Sequence, residues 1–324
     1  MLRSKFFLMS WFATTLAVGW FVWQGSSFQN SPLAITITVT LTIYTTLALM
    51  SSLAKPLPDD SIRTPIGMFI VWVLAIVVVL LFVYQVAGYY LLFGLPIIGM
   101  VVLVWLRRHA AIGELLYALG LGLMAGIAGL AAGINFVSPT VWAMIQVLLI
   151  VTGLPAGWSM LRHSGLLQAG IGTSRFVERG FISAVSGFAQ GIVLCIPWAL
   201  GSLVLRTTSN ASWVREWWQP LTAIQPGIAE EAWGRMLLVP LVFLILRRVA
   251  QTRVAFTAAI IIVGYWFAYM HSSGGFDWFT TLMLGTLLVL PISYVCFYRD
   301  VETAIGFHFG YDFITTVALY ALIR

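Results

Sequence analysis

Three groups of ionisable residues sit where the surrounding chain is oily. Glu230, Glu231 and Arg235 lie in the apolar run 225–246, His271 ends the run 254–271, and His308 and Asp312 lie in the run 302–323. An ionisable side chain in hydrocarbon costs about 2.5–3.5 kcal/mol on insertion scales, so each one needs a compensating reason. Two adjacent acids, an arginine, two histidines and a further acid are the types used for acid–base chemistry, metal ligation and proton relays. Spacing sorts them. Glu231 and Arg235 are i and i+4, share a helix face, and should pair. Glu230 is turned about 100° away and escapes that neutralisation, which suits a general base. Phe267 and His271 repeat the i, i+4 spacing, which puts the ring one turn below the imidazole. His308 and Asp312 repeat it again, so the carboxylate can reach the imidazole or a substrate group.

Taken singly, each group has a plainer account. A Glu–Arg pair in a span is often structural or lines a transport path. A histidine at a span end is often interfacial. A His–Asp pair can be a proton relay. Three such groups within one apolar region resemble a converging site more than three accidents. Glu, His and Asp are also ligand types that zinc accepts, but the HExxH pattern is absent, and no metal or other cofactor is expected. Cys195 and Cys296 stand in apolar runs without CxxC spacing and read as small buried hydrophobes.

The elements that must position these residues are apolar throughout. Of 324 residues, 60% are hydrophobic and only 9% are charged, whereas a soluble domain carries about 25% charged residues. Mean hydropathy is +0.97. A soluble enzyme, a disordered tail, a collagen and a disulfide scaffold are excluded. Crossing about 30 Å of hydrocarbon takes roughly 20 apolar residues. By that measure the spans are 6–24, 32–53, 67–84, 88–106, 113–133, 138–157, 181–205, 225–246, 254–271, 277–298 and 302–323. The expected fold class is therefore all-α: a polytopic membrane helix bundle of about 11 transmembrane helices.

The net charge of +6 fits orientation in a membrane better than nucleic-acid binding, because the cations fall between apolar runs and no basic stripe with interleaved aromatics occurs. With the N-terminus cytoplasmic, most of the 17 Lys and Arg residues face inward. Arg206, Arg215 and Arg324 face outward, and Arg235 stays within a span. A multi-pass integral membrane protein with the lipid bilayer as a partner, a cytoplasmic N-terminus and no nucleic acid follows. The run 6–24 lacks a clear A-x-A site after it and reads as an uncleaved first span.

Between the spans, 54–66 is a polar connector, and Trp213, Trp217 and Trp218 in 206–220 suit the headgroup level. Asn210-Ala211-Ser212 fits a glycosylation pattern without a host to give it meaning. Arg162, His163, Arg175 and Arg179 among apolar neighbours suggest an interfacial helix within 158–180. Gly122/Gly126 and Gly129/Gly133 suggest close helix packing. The expected organisation is an N-terminal bundle over 1–157, a cytoplasmic or interfacial linker over 158–180, and a core over 181–324 that holds most of the embedded polar residues.

The three polar groups also form ordered motifs. Glu230-Glu231-Ala232-Trp233-Gly234-Arg235 fits EExxxR, Phe267 through His271 fits FxxxH, and His308 through Asp312 fits HxxxN/D. In that order on successive apolar helices they resemble the CPBP family of CAAX-processing and bacteriocin-processing intramembrane proteases, over about 180–324. The resemblance implies a CPBP-like core and a glutamic endopeptidase acting on a membrane-associated peptide or protein. It implies that Glu230 and His271 activate a water, that His308 and Asp312 steady the oxyanion, and that Glu231, Arg235 and Phe267 support them. Ionised Asp, unlike Asn, donates no hydrogen bond. Either Asp312 is protonated, or it orients His308. Two other readings stand beside this one: a non-catalytic immunity or scaffold partner on a protease-like fold, and a proton-coupled transporter, which often carries inverted repeats. One tension concerns depth. The span order puts His271 at the outer end of its helix and His308 only about six residues, roughly 9 Å, from the inner end of its own. Tilted helices, or a 299–304 turn set deep in the bundle, would bring them level.

Overall fold

The computed structural model describes residues 5–24, 31–55, 57, 85–132, 138–205, 216–271 and 278–323. Among these residues the fold is all-helical, as backbone in hydrocarbon requires, because each helix satisfies its own polar groups. The helices are α1 (Lys5–Trp23), α2 (Pro32–Leu53), α3 (Gln85–Trp105), α4 (Ile112–Ala132), α5 (Pro139–His163), α6 (Arg175–Arg179), α7 (Phe181–Leu205), α8 (Ile224–Glu230), α9 (Val239–Leu246), α10 (Thr252–Met270), α11 (Trp278–Leu284), α12 (Leu290–Tyr298) and α13 (Val301–Ile323). Two π-helical segments, Glu231–Leu238 and Gly285–Val289, join α8 to α9 and α11 to α12. Among the described residues, 7 helices are long and apolar enough to cross a membrane. The chain is a polytopic membrane helix bundle. The expected run 67–84, most of the connector 54–66, Gly133 and the 206–215 part of the tryptophan loop, with Asn210 and Trp213, lie outside the described residues.

Small residues set the closest packing, as expected where lipid supplies no hydrophobic drive between helices. The tightest seam joins α7 to α13. A methyl on Gly191 would strike the Thr303 carbonyl, one on Gly306 the Phe188 carbonyl, and one on Gly310 would lie 2.8 Å from Cys195 Sγ. The expected Gly122/Gly126 pair packs α4 on α5, where a methyl would meet the Val147 carbonyl at 3.3 Å and the Val147 side chain at 2.9 Å. Gly153 and Gly157 of α5 lie against the carbonyls of Ala232 and Met236 in the first π segment.

The segment 158–180 is not one continuous helix. Instead α5 continues to His163, and the chain then turns on Gly170 and Gly172, whose φ values of 75° and 69° end any right-handed helix. Only the short α6 follows, capped by Ser174 Oγ, which accepts from Val177 N at 3.2 Å. This segment lies across the start of α13. Gly172 N donates to the Phe297 carbonyl at 2.7 Å, and Val301 N donates to the Thr173 carbonyl at 3.0 Å. Beneath it two carboxylates are buried. Glu302 accepts from Ser174 Oγ at 2.5 Å, Arg175 N at 2.9 Å and Phe176 N at 3.1 Å. Asp300 accepts from Arg175 Nε at 2.7 Å, Thr303 N at 2.7 Å and Thr303 Oγ1 at 2.6 Å. Both are 3% exposed, so the turn before α13 is set inside the protein.

Candidate active site

Three pieces of chain meet at Glu230. Glu230 ends α8, His271 caps α10, and His308 and Asp312 stand one turn apart on α13. Glu230 Oε1 lies 3.6 Å from His271 Nε2, and Glu230 Oε2 lies 3.4 Å from His308 Nε2. Each carboxylate oxygen thus faces a different imidazole at a distance beyond an ordinary hydrogen bond. Asp312 Oδ2 lies 3.6 Å from His308 Nε2.

Hydrogen bonding fixes which nitrogen each ring presents. His271 Nδ1 lies 2.9 Å from the Phe267 carbonyl, which only accepts, so Nδ1 carries the proton and Nε2 turns to Glu230. His308 Nδ1 lies 2.9 Å from Glu231 Oε1. An ionised carboxylate likewise only accepts, so His308 donates from Nδ1 and shows Nε2 to Glu230 and Asp312. Phe267 stacks under His271 with ring centroids 4.5 Å apart. The i, i+4 spacing within α10 delivers both the stack and the carbonyl contact.

Behind this layer Glu231 is fully buried. Arg235 Nη1 lies 3.2 Å from Glu231 Oε1, and the guanidinium stands 4.3 Å over the centroid of the Phe267 ring. Among the described residues its three nitrogens make no hydrogen bond, and charge attraction and the ring face hold it there. One arginine therefore links the pair on the first π segment to the aromatic under His271. The π winding, uncommon and frequent at functional sites, shifts the phase of the helix between Glu230 and the residues after Leu238.

A cavity of about 820 Å³ opens at these groups, within the range of ligand sites. Glu230, Arg235, Phe267, His271, His308 and Asp312 line it, while Glu231 stands behind the wall. All seven residues singled out from the sequence therefore meet in one place. Sequence reasoning missed the rest of the lining, including Trp198 and Gly201 of α7 and Ile35, Val39 and Thr42 of α2. Apolar residues in a span look alike whether they face lipid or a cleft, and no pattern in the sequence would have marked them. Among the described residues no group of three or more His, Cys, Asp or Glu side chains is arranged to hold a metal ion. Cys195 and Cys296 are buried and free, and neither lines the cavity.

Residues 212–314 match the family described as Rce1-like, type II CAAX prenyl endopeptidase. The matched stretch holds all seven residues singled out from the sequence, and residues 1–211 lie outside it. No curated protein and no solved structure matches the chain. The C-terminal part is thus an Rce1-like domain of the CPBP, CAAX-protease-like kind, embedded in a multi-pass membrane protein.

Proposed function

We propose that this chain, with its Rce1-like domain, is an intramembrane endopeptidase that hydrolyses a peptide bond in a membrane-associated protein or peptide through a water activated by Glu230 and His271. The observation that carries the reading is the position of Glu230 on the cavity wall, with one carboxylate oxygen turned to each imidazole at 3.6 and 3.4 Å. A water bridging Glu230 and His271 Nε2 would lose a proton to the carboxylate as its oxygen attacks the scissile carbonyl carbon. That proton then passes to the departing amine, so the carboxylate ends as it began. His308 is held at Nδ1 by Glu231 and, as an imidazolium, donates from Nε2 to the developing oxyanion. Asp312 faces the same nitrogen and acts through His308 rather than as a donor. Arg235 balances Glu231, which keeps Glu231 free to accept from His308. The N-terminus is cytoplasmic in this reading, on the distribution of Lys and Arg between spans.

The test is cleavage of a fluorogenic reporter peptide by the full chain in liposomes. Glu230→Ala and His271→Ala should abolish cleavage, and Cys195→Ala should not. Normal turnover by Glu230→Ala would overturn the proposal.

A further inference from the structure

The cavity is not built by the family-matched segment alone. Ile35, Val39 and Thr42 of α2 line it together with Glu230 and His271, although α2 lies far outside residues 212–314. Spacings of four and three keep these side chains on one face, along about 10 Å of helix. An extended peptide advances about 3.3 Å per residue, so the stripe spans about three residues of a bound chain.

Helix α2 is fastened in that place. Trp198 Nε1 on α7 donates to Thr46 Oγ1 at 3.0 Å. Past the end of α2, Lys55 Nζ donates to the Gly170 carbonyl at 2.7 Å. Gly201 lets α7 approach α2 closely at the Thr42 end of the stripe, since a methyl there would come within 3.2 Å of Thr42 Oγ1. Chemistry divides the cavity. Its acids, histidines and arginine gather at the Glu230 end, while the α2 wall carries two aliphatic side chains and one hydroxyl. Thr42 Oγ1 already donates to the Thr38 carbonyl at 2.7 Å. That wall suits apolar side chains and offers no charge to a polar one.

We propose that Ile35, Val39 and Thr42 are specificity-determining positions, which contact apolar substrate side chains flanking the scissile bond and limit their size. This rests on the endopeptidase reading above. Val39→Trp narrows the wall and Val39→Ala widens it. A methylene in an apolar pocket is worth about 10–200-fold in discrimination. On reporter peptides that differ only in the bulk of the apolar residues beside the scissile bond, Val39→Trp should lower kcat/KM for Leu and Phe peptides at least about tenfold relative to Ala peptides. Val39→Ala should move the ratio the other way. A helix with only a structural role would slow all peptides alike, and unchanged ratios overturn the proposal. A second readout does not need turnover. A photo-crosslinking residue at position 39, in a Glu230→Gln background, should capture an apolar reporter peptide, and the same probe at the lipid-facing Leu47, 56% exposed, should not. If the native chain cleaves no peptide but position 39 still captures it, the endopeptidase reading fails and the α2 wall stands. Capture at neither position, or equally at both, overturns the wall.

Discussion

Two acidic clusters pack against α13, one at its start and one at the end of α8, and they are built in opposite ways. At the start of the helix Glu302 and Asp300 are saturated, each accepting three hydrogen bonds between 2.5 and 3.1 Å from neighbouring donors. Two turns on, near His308, Glu230 has among the described residues the two imidazole nitrogens at 3.6 and 3.4 Å, and it faces a cavity. A carboxylate with all its acceptor sites filled has no lone pair to offer, and its removal strands the donors around it. A carboxylate with loose contacts and open space can take a proton. Burial and hydrogen bonding point the same way here: Asp300 and Glu302 are 3% exposed and held by three donors each, and Glu230 is 18% exposed and loosely held.

The contrast can be broken at either end. The largest effect is expected at the loose acid: Glu230→Gln should lower kcat/KM about 10²–10⁴-fold, the range typical of general-base loss, with the melting midpoint in detergent nearly unchanged. A comparable fall is expected for His271→Ala. A Glu230→Gln protein that unfolds instead would place Glu230 with the structural acids. At the saturated acid, Glu302→Gln should cost about 3 kcal/mol of stability, because one carboxylate oxygen becomes an NH2 group turned toward a buried N–H or hydroxyl donor. Thermal unfolding reads that loss, and an unshifted midpoint would undo the distinction from the other side. The smallest effect is expected at Asp312. Its side chain is 31% exposed and 3.6 Å from His308, so Asp312→Asn should change kcat/KM by about fivefold or less, the scale of a screened ion pair. A loss as deep as that of Glu230→Gln would show Asp312 at the reacting atoms.

Much of the site could be read from residue types because hydrocarbon makes polarity conspicuous. Glu230, His271 and His308 stood out by their cost, and the i, i+4 pairs follow from helix geometry without tertiary information. What could not be read was depth. Span order puts His271 and His308 at different levels, whereas both imidazoles face Glu230, at 3.6 and 3.4 Å. The path of 158–180 was equally hidden: the long helix ends at His163, and Gly170 and Gly172 turn the chain over the start of α13. Helix packing was legible only in part. Gly122/Gly126 was noticed, yet Gly306/Gly310 has the same spacing and lines the tightest seam. The contribution of α2 was beyond reach, because Ile35 and Val39 carry no mark of facing a cleft.

The widened turn at Glu231–Leu238 has a further consequence. Upstream, α8 packs on α4 and α13, whereas downstream α9 packs on α10. A regularly wound rod would keep one heading along its length; the slack turn acts as a swivel joint, so that a single strut braces two neighbours on different sides and leaves its acidic tip aimed into the gap between them. Trimming one residue from the joint would swing that tip by about 100° and point it into packing, while the strut itself kept its length and its grease.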